Sequence, residues 1–536
     1  MQADLILYNA RVYTLDAGHP HAQAVAMAGN RILAVGDDDE LRPCLRPGGQ
    51  AVDLGGRCVI PGLIDAHIHL GWYSLGVYQQ QVDLDNVPSR AEALARVAQA
   101  AQRTPPGRWL QGGGWNKNIW PEQTFPTAAD LDAVAPDHPV ALQDKSHHAL
   151  WVNSRALELA GVTAATADPP GGEILRDEAG RPSGILLEAA GELVRRAIPE
   201  PDVETMAAAL RQGIARALSL GLTGCHEPGH PTVLAALQLL RARGELKLRM
   251  LVHLPADGLE AAARLGLRSG LGDEYLRLGG IKLFADGALG PQTASLLAPY
   301  EGTPDRTGIP TLTADELGDL VCRAHRSGLS VAVHAIGDAA NRATLDAIEK
   351  GRQFPSAIRP SLPDRIEHVQ LLHPDDLPRL AQLGVVASMQ PIHATSDMEM
   401  AGRHWGRRCE LAYAWRSLLR SGATLAFGSD CPVETLDPLA GIHAAVTRRR
   451  ADGQPGPEGW IPAQRLTVAE AVQAYTLGAA YASGEAHLKG SLTPGKLADL
   501  VVLSRDIFQI EPMDILNTHV AMTVFDGQIV AGQIGA

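Results

Sequence analysis

The run CVIPGLIDAHIHL ends on His67-Ile68-His69. On an extended strand, residues i and i+2 project to the same side, about 6.5–7 Å apart at Cα. Both imidazoles can therefore converge on one cation. Chance has to be weighed first, because 19 histidines placed at random among 536 residues already yield a pair of this kind. The chain holds a second one, His19-Pro20-His21, just after Ala17-Gly18 in a stretch that reads as a turn between short strands; on this reading it is the chance pair. Other apolar runs also finish on metal-competent or proton-transfer side chains. Lys282 follows LGGI, His334 follows SVAV, His368 follows DRIE and Asp430 follows LAFGS. A lone buried histidine is usually a satisfied core residue, and a lone lysine usually extends its ammonium to water. Five strand ends finishing on His, Lys or Asp point instead to convergent ligands. Imidazole and carboxylate suit zinc, iron, manganese or nickel. His226 in GCHEPG, His393 in QPIHATSD and Trp115 are further substrate-side candidates, each with an equally ordinary reading as core or loop packing. Arg403 and the run Arg448-Arg449-Arg450 read as solvated surface. No G-x-S-x-G occurs, which disfavours a covalent serine hydrolase.

The elements that must position these residues follow from periodicity. From about 206 to 450, short apolar strands such as LTGCHEP, LSVAVHAIG and TLAFGSD alternate with amphipathic helices, one opened by a Thr313-x-x-Glu316 capping box. Together with the run near residue 60 they make eight β/α units, the pattern of a (β/α)8 barrel, an α/β fold of the TIM type. A doubly wound sheet is the alternative, but no G-x-G-x-x-G turn follows the first strand. The first 58 residues and the last 40 read as strands and turns, with Asp526-Gly527 a hairpin signal. Neither end suffices for its own core, so both are expected to pair into one β-sandwich, 1–58 with 487–536. The barrel is then 59–70 with 206–486. Residues 71–205, holding five of the eight Trp, form an insertion subdomain after the first barrel strand, too long for a loop. It leaves on the face where barrel enzymes place their chemistry. Most of its Trp are expected to pack its own core.

Composition narrows the function. The net charge of −13 argues against a nucleic-acid or anionic-membrane surface. The six cysteines are scattered without a C-x-x-C pair, which excludes a disulfide scaffold and fits a reducing, cytoplasmic setting. No apolar run approaches the roughly 20 residues that span a bilayer. The expected partner is a small-molecule substrate, and a homodimer stays open.

An ordered set of motifs over essentially the whole chain resembles the amidohydrolase superfamily, in the branch called amidohydrolase family 3 or YtcJ-like. The motifs are VIPGLIDAHIHL, QGGGWN, HHALWVNSRAL, GRPSGILLEAA, IKLFADGALG, VAVHAIGDAAN, RIEHVQLLHPDD, ASMQPIHATSD, AFGSDCPVE and PGKLADLVVL. The resemblance implies metal-dependent hydrolysis of carbon–nitrogen bonds other than peptide bonds, of N-acyl or N-formyl amides first. Carbamate or ester hydrolysis and isomerisation on the same scaffold are the alternatives, and a non-enzymatic binding protein is disfavoured by the intact ligand set. By the same resemblance, His67 and His69 hold a first metal and His334 and His368 a second. Lys282 bridges the two after carboxylation by CO2, and Asp430 is both a ligand and the proton shuttle. Zinc is the first expectation, as one ion or two, with manganese, iron or nickel as alternatives. His148 matches a histidine near the substrate. The stretch KSHHALW departs from the Asp-Gly-His-x-x-Trp form of many members, a difference on the substrate side. The ordinary alternative for Lys282 is an ion pair with Asp286.

Overall fold

The computed structural model describes residues 2–78, 81–353 and 358–532; every candidate site residue lies among them, whereas the outermost residues of the two expected β-sandwich segments do not. Eight parallel strands form one sheet: β1 (Leu63–Asp65), β2 (Leu222–Pro228), β3 (Arg249–Pro255), β4 (Leu276–Phe284), β5 (Val331–Ala335), β6 (Arg365–His368), β7 (Val386–Met389) and β8 (Leu425–Phe427). Spatial order follows chain order. The ring closes where the Ala66 N–H, just past β1, donates to the Phe427 carbonyl of β8 at 2.9 Å. The strands are buried on both faces, which is why they read as continuous apolar runs rather than alternating ones. The helix Ala314–Arg326 starts at the expected box: Thr313 Oγ1 accepts from Glu316 N–H, and the Glu316 carboxylate accepts from Thr313 N–H at 2.9 Å.

Two further sheets contain both chain ends. A four-stranded sheet spans residues 3–53, and a six-stranded sheet pairs Cys58–Pro61 antiparallel with Leu500–Leu503, from Leu500↔Pro61 to Leu503↔Cys58. Leu5, Val25 and Val59 share a core with Leu500, Val502 and Met522. The Asp526-Gly527 turn joins the last two strands with φ of +57° and +75°, a conformation these two residue types tolerate.

Between β1 and β2 lies a cap with its own six-stranded sheet and its own core. Trp115, Trp120 and Trp151 are buried against one another there, with ring centroids 6.0–6.3 Å apart. The helix α1 (Leu70–Tyr78) behaves differently. It falls in the stretch expected to belong to the insertion, yet it packs on the barrel. Gly71 sits so close to the next barrel helix that a Cβ would lie 2.4 Å from Val233, and at Gly213 a Cβ would meet the Ser74 hydroxyl. These two glycines let the helices touch, and α1 carries Trp72 on the barrel, not in the cap core.

The arginine run also departs from expectation. Arg448 is fully buried with φ +52°, its guanidinium 4.5 Å from the Trp415 ring centroid and donating to the Trp460 and Tyr413 carbonyls. Burial without a carboxylate partner pushes it down to about 9. It braces a turn; periodicity could not separate it from Arg449 and Arg450, which are part-exposed.

Candidate active site

The strand ends converge on Asp430. Its Oδ1 lies 3.4 Å from His67 Nε2 and 3.3 Å from His69 Nε2, and its Oδ2 lies 3.6 Å from His393 Nε2 and 4.0 Å from His368 Nδ1. Potential ligand atoms of His67, His368 and Asp430 all fall within 4.8 Å of one another, and all three residues are buried. Asp430 takes φ +58° and His368 φ +77°, with Val369 at +44° next to it. Non-glycine residues hold such backbone only where the surroundings enforce it, commonly at sites. The chain turns sharply at both strand ends, and each turn aims its side chain into the mouth. Asp65 enforces the turn after β8: its carboxylate accepts from the Ser429 N–H at 3.0 Å, the Ser429 hydroxyl at 2.5 Å and the His67 N–H at 3.1 Å. Burial raises Asp65 to about 6.

The histidines are fixed by acceptors on one ring nitrogen. The His67 Nδ1 lies 2.8 Å from Glu367 Oε2, the His368 Nδ1 2.8 Å from Gln390 Oε1, and the His334 Nε2 3.0 Å from the Gly287 carbonyl. An acceptor on one nitrogen makes that nitrogen the protonated one and leaves a lone pair on the other. For His67, that lone pair faces the Asp430 oxygen. A buried imidazole nitrogen and a carboxylate oxygen facing each other need a cation between them, a proton or a metal ion, and this donor set fits a metal. Burial, with neighbouring cationic groups, holds His334 and His368 well below the usual imidazole range, in the neutral form a metal requires. Burial opposes the ionised form of Asp430, but with a proton as that cation the hydrogen bonds from His67 and His69 outweigh burial and hold Asp430 well below the usual carboxylate range.

Lys282 is buried, and burial lowers its ammonium to about 8. Its Nζ lies 4.9 Å from the Phe284 ring centroid. The alternative ion pair with Asp286 is not formed: the Asp286 carboxylate instead accepts from the Ser295, Ile336 and Gly337 N–H groups at 2.8–3.0 Å.

A cavity of about 1450 Å³ opens over this cluster, lined by His67, His69, Lys282, His334, His368 and Asp430 from the barrel and by the cap above. His148 reaches it from the cap, with its Nδ1 2.7 Å from Glu188 and its ring 5.4 Å from that of His334. His393 joins it too, its Nδ1 3.2 Å from Gln370 Nε2. Trp115 borders the cavity but is 1% exposed and gives its indole N–H to the Leu142 carbonyl, so it belongs to the cap core. His226 departs from the expected substrate side. It does not line the cavity; it lies inside the barrel, its Nδ1 accepting from Arg365 Nη1 at 2.9 Å, because β2 turns this side chain inward below the mouth. His19 and His21 are exposed, and neither lines the cavity.

Sequence reasoning missed the groups behind the ligands. Arg365 and Glu367 alternate inward along β6. Glu367 Oε1 lies 2.6 Å from Arg365 Nε, and Arg365 also donates to the Ser388 hydroxyl at 2.5 Å and to the Ala66 carbonyl. This buried pair ties β6 to β7, β2 and β1 and presents a carboxylate to His67. Two charges at i and i+2 in the run RIEH were the available signal. Glu188 and Gln390 lie within the motifs GRPSGILLEAA and ASMQPIHATSD, which were the signal available for them.

Residues 50–531 match the model of the amidohydrolase family. The chain is 34% identical to the putative amidohydrolase YtcJ of Bacillus subtilis, over 98% of this chain and 99% of that protein. It is 32% identical to the N-substituted formamide deformylase of Arthrobacter pascens, over 98% and 97% respectively. Among solved structures, an uncharacterized metal-dependent hydrolase from Pyrococcus horikoshii superposes with TM-score 0.78 at 29% identity, covering 95% of this chain and 99% of that one.

Proposed function

The chain belongs to the amidohydrolase family, and from that premise we propose that it hydrolyses N-acyl or N-formyl amides with Asp430 as the proton shuttle. The observation that carries this reading is the Asp430 carboxylate, set among buried imidazoles, of which His67 and His393 face it with Nε2 while Glu367 and Gln370 lie against their Nδ1. His67, His69 and Asp430 would hold one divalent ion, zinc first. His334, His368 and a carboxylated Lys282 would hold a second. When bound, such ions lower the pKa of water and polarise a carbonyl. The remaining work falls to this chain's own atoms. Asp430 takes a proton from the attacking water and returns it to the departing nitrogen, so that the leaving group is a neutral amine. Holding Asp430 ionised keeps it a base at neutral pH. The lowered pKa of Lys282 increases the fraction of neutral amine, the form that adds CO2. His148, held by Glu188, is placed to orient the substrate from the cap.

The test is metal analysis of dialysed protein, then assay of a panel of N-acyl amides, N-formyl amides and matched esters. Bound divalent metal and amide cleavage abolished by chelation are expected. Chelator-resistant turnover of metal-free protein would overturn the reading. For Lys282, the protein grown with ¹³C-labelled bicarbonate should show a carbamate carbon signal that is lost in Lys282→Ala.

A further inference from the structure

The site places a scissile bond but leaves its substituents open. Among the described residues, eleven large apolar side chains are exposed, and four of them line the cavity over the barrel mouth: Trp72 (46%), Val77 (49%), Ile119 (50%) and Phe284 (46%). Exposed apolar surface gathered in a concave site marks where apolar ligand atoms go. The two rings among these four are held in place. Trp72 stacks on His69 at 4.4 Å with planes 6° apart, and overlaps His147 of the cap at 5.9 Å. Its helix α1 is fixed by the Gly71–Val233 contact and by the Glu227 carboxylate, which accepts the Gly71 N–H at 3.2 Å. Phe284 ends β4, with its ring 5.3 Å from that of His334.

Barrel order separates the two rings. Trp72 follows β1, whereas Phe284 ends β4 beside His334 of β5. In an eight-stranded ring, positions after β1 and at the end of β4 lie on different sides of the mouth. Four of the cations that line the cavity are engaged by other groups, and Arg196 and Arg216 line it as well. Lys145 lies near Asp85 and Glu434, Arg195 pairs with Glu192 and Arg450 with Glu399, and Lys117 sits 4.8 Å over the Phe125 ring.

We propose that the substrate carries an apolar substituent on each side of the scissile bond, one against Trp72 and one against Phe284. Resting on the amide-hydrolysis reading above, this selects an N-acyl amide with an extended apolar acyl group and an apolar amine over an N-formyl compound. A formyl group offers only hydrogen on the acyl side and would leave one of the two rings facing water.

The test uses ketones in which a methylene replaces the amide N–H, so that binding is read without cleavage. Two series are titrated calorimetrically into the metal-loaded protein, each extended one methylene at a time on one side. Both series should tighten about threefold to fourfold per methylene. Phe284→Ala should flatten one series and Trp72→Ala the other, while Trp72→Phe keeps its slope and every variant keeps its metal. The wild-type series decide the matter even if a variant is unstable. A flat series on either side overturns the proposal. So does tighter binding of a ketone bearing a carboxylate that is lost in Lys117→Ala. Steep series together with no cleavage of the matching amides would support the two-ring pocket and overturn the hydrolysis reading instead.

Discussion

The barrel mouth and the cap face the same cavity but are built on different physics. At the mouth, polar side chains are buried and three of the histidines are held by a second buried group: His67 by Glu367, His368 by Gln390, His334 by the Gly287 carbonyl. In the cap, tryptophans hold one another, and side chains such as His148 and Lys145 line the cavity. Lys145 joins the two regions, lying between Asp85 of the cap and Glu434 of the barrel loop. The difference teaches a division of labour. Chemistry needs atoms fixed to fractions of an ångström, which strand ends and second partners supply. Selectivity needs walls, which an apolar core can carry without converging on one point.

The sharpest way to break this division is at Asp430. Asp430→Asn removes the base but keeps the shape, so kcat should fall about 10²–10⁴-fold while metal content holds. Equal losses of metal and activity would make Asp430 a ligand only. The cap counterpart is Trp151→Ala, which deletes a fully buried ring whose indole N–H donates to the Thr127 carbonyl at 2.8 Å. A loss of about 3–5 kcal/mol is expected by calorimetry, with the barrel metal retained. Loss of metal would show that the two regions are not separable. A smaller effect is expected behind the ligands. Glu367→Gln should weaken metal binding about 10–100-fold in competition with a chelator, because the His67 tautomer is no longer enforced.

The smallest effect comes from Glu227, which lies beneath α1 and touches no substrate. Burial raises its folded pKa to about 8, above its ordinary value of 4.5. The folded state therefore holds a proton that the unfolded state releases above 4.5, and stability falls as pH rises from about 4.5 to 8. Glu227→Gln lacks this loss. Its melting temperature should exceed that of the parent by an increment that grows from pH 5 to pH 8, worth about 1 kcal/mol or more at the upper end. A constant difference across that range would assign the effect to packing.

Much of this was legible in the residues themselves. Strand ends finishing on His67, His69, Lys282, His334, His368 and Asp430 could be read because a parallel barrel turns strand order directly into spatial convergence. The capping box at Thr313 and the Asp526-Gly527 turn were legible because both are local interactions. The misreadings share one cause. His226 sits at a strand end like the others, but whether such a side chain points up into the mouth or down into the barrel depends on where the strand stops relative to its neighbours. Arg448 looks like Arg449 until Trp415 and Trp460 close over it. Trp72 lies in the stretch expected to be the insertion, yet a helix contact made possible by Gly71 and Gly213 keeps it on the barrel.

By itself, then, the sequence determined which atoms could carry the chemistry and which scaffold would gather them, since residue type and strand periodicity are properties of short segments. Only the tertiary structure decided the ring nitrogens that are held, the carboxylate behind His67 and the exposed rings of Trp72 and Phe284 that line the cavity. Those depend on distances between residues as far apart in the chain as His67 and Glu367, which no local pattern encodes.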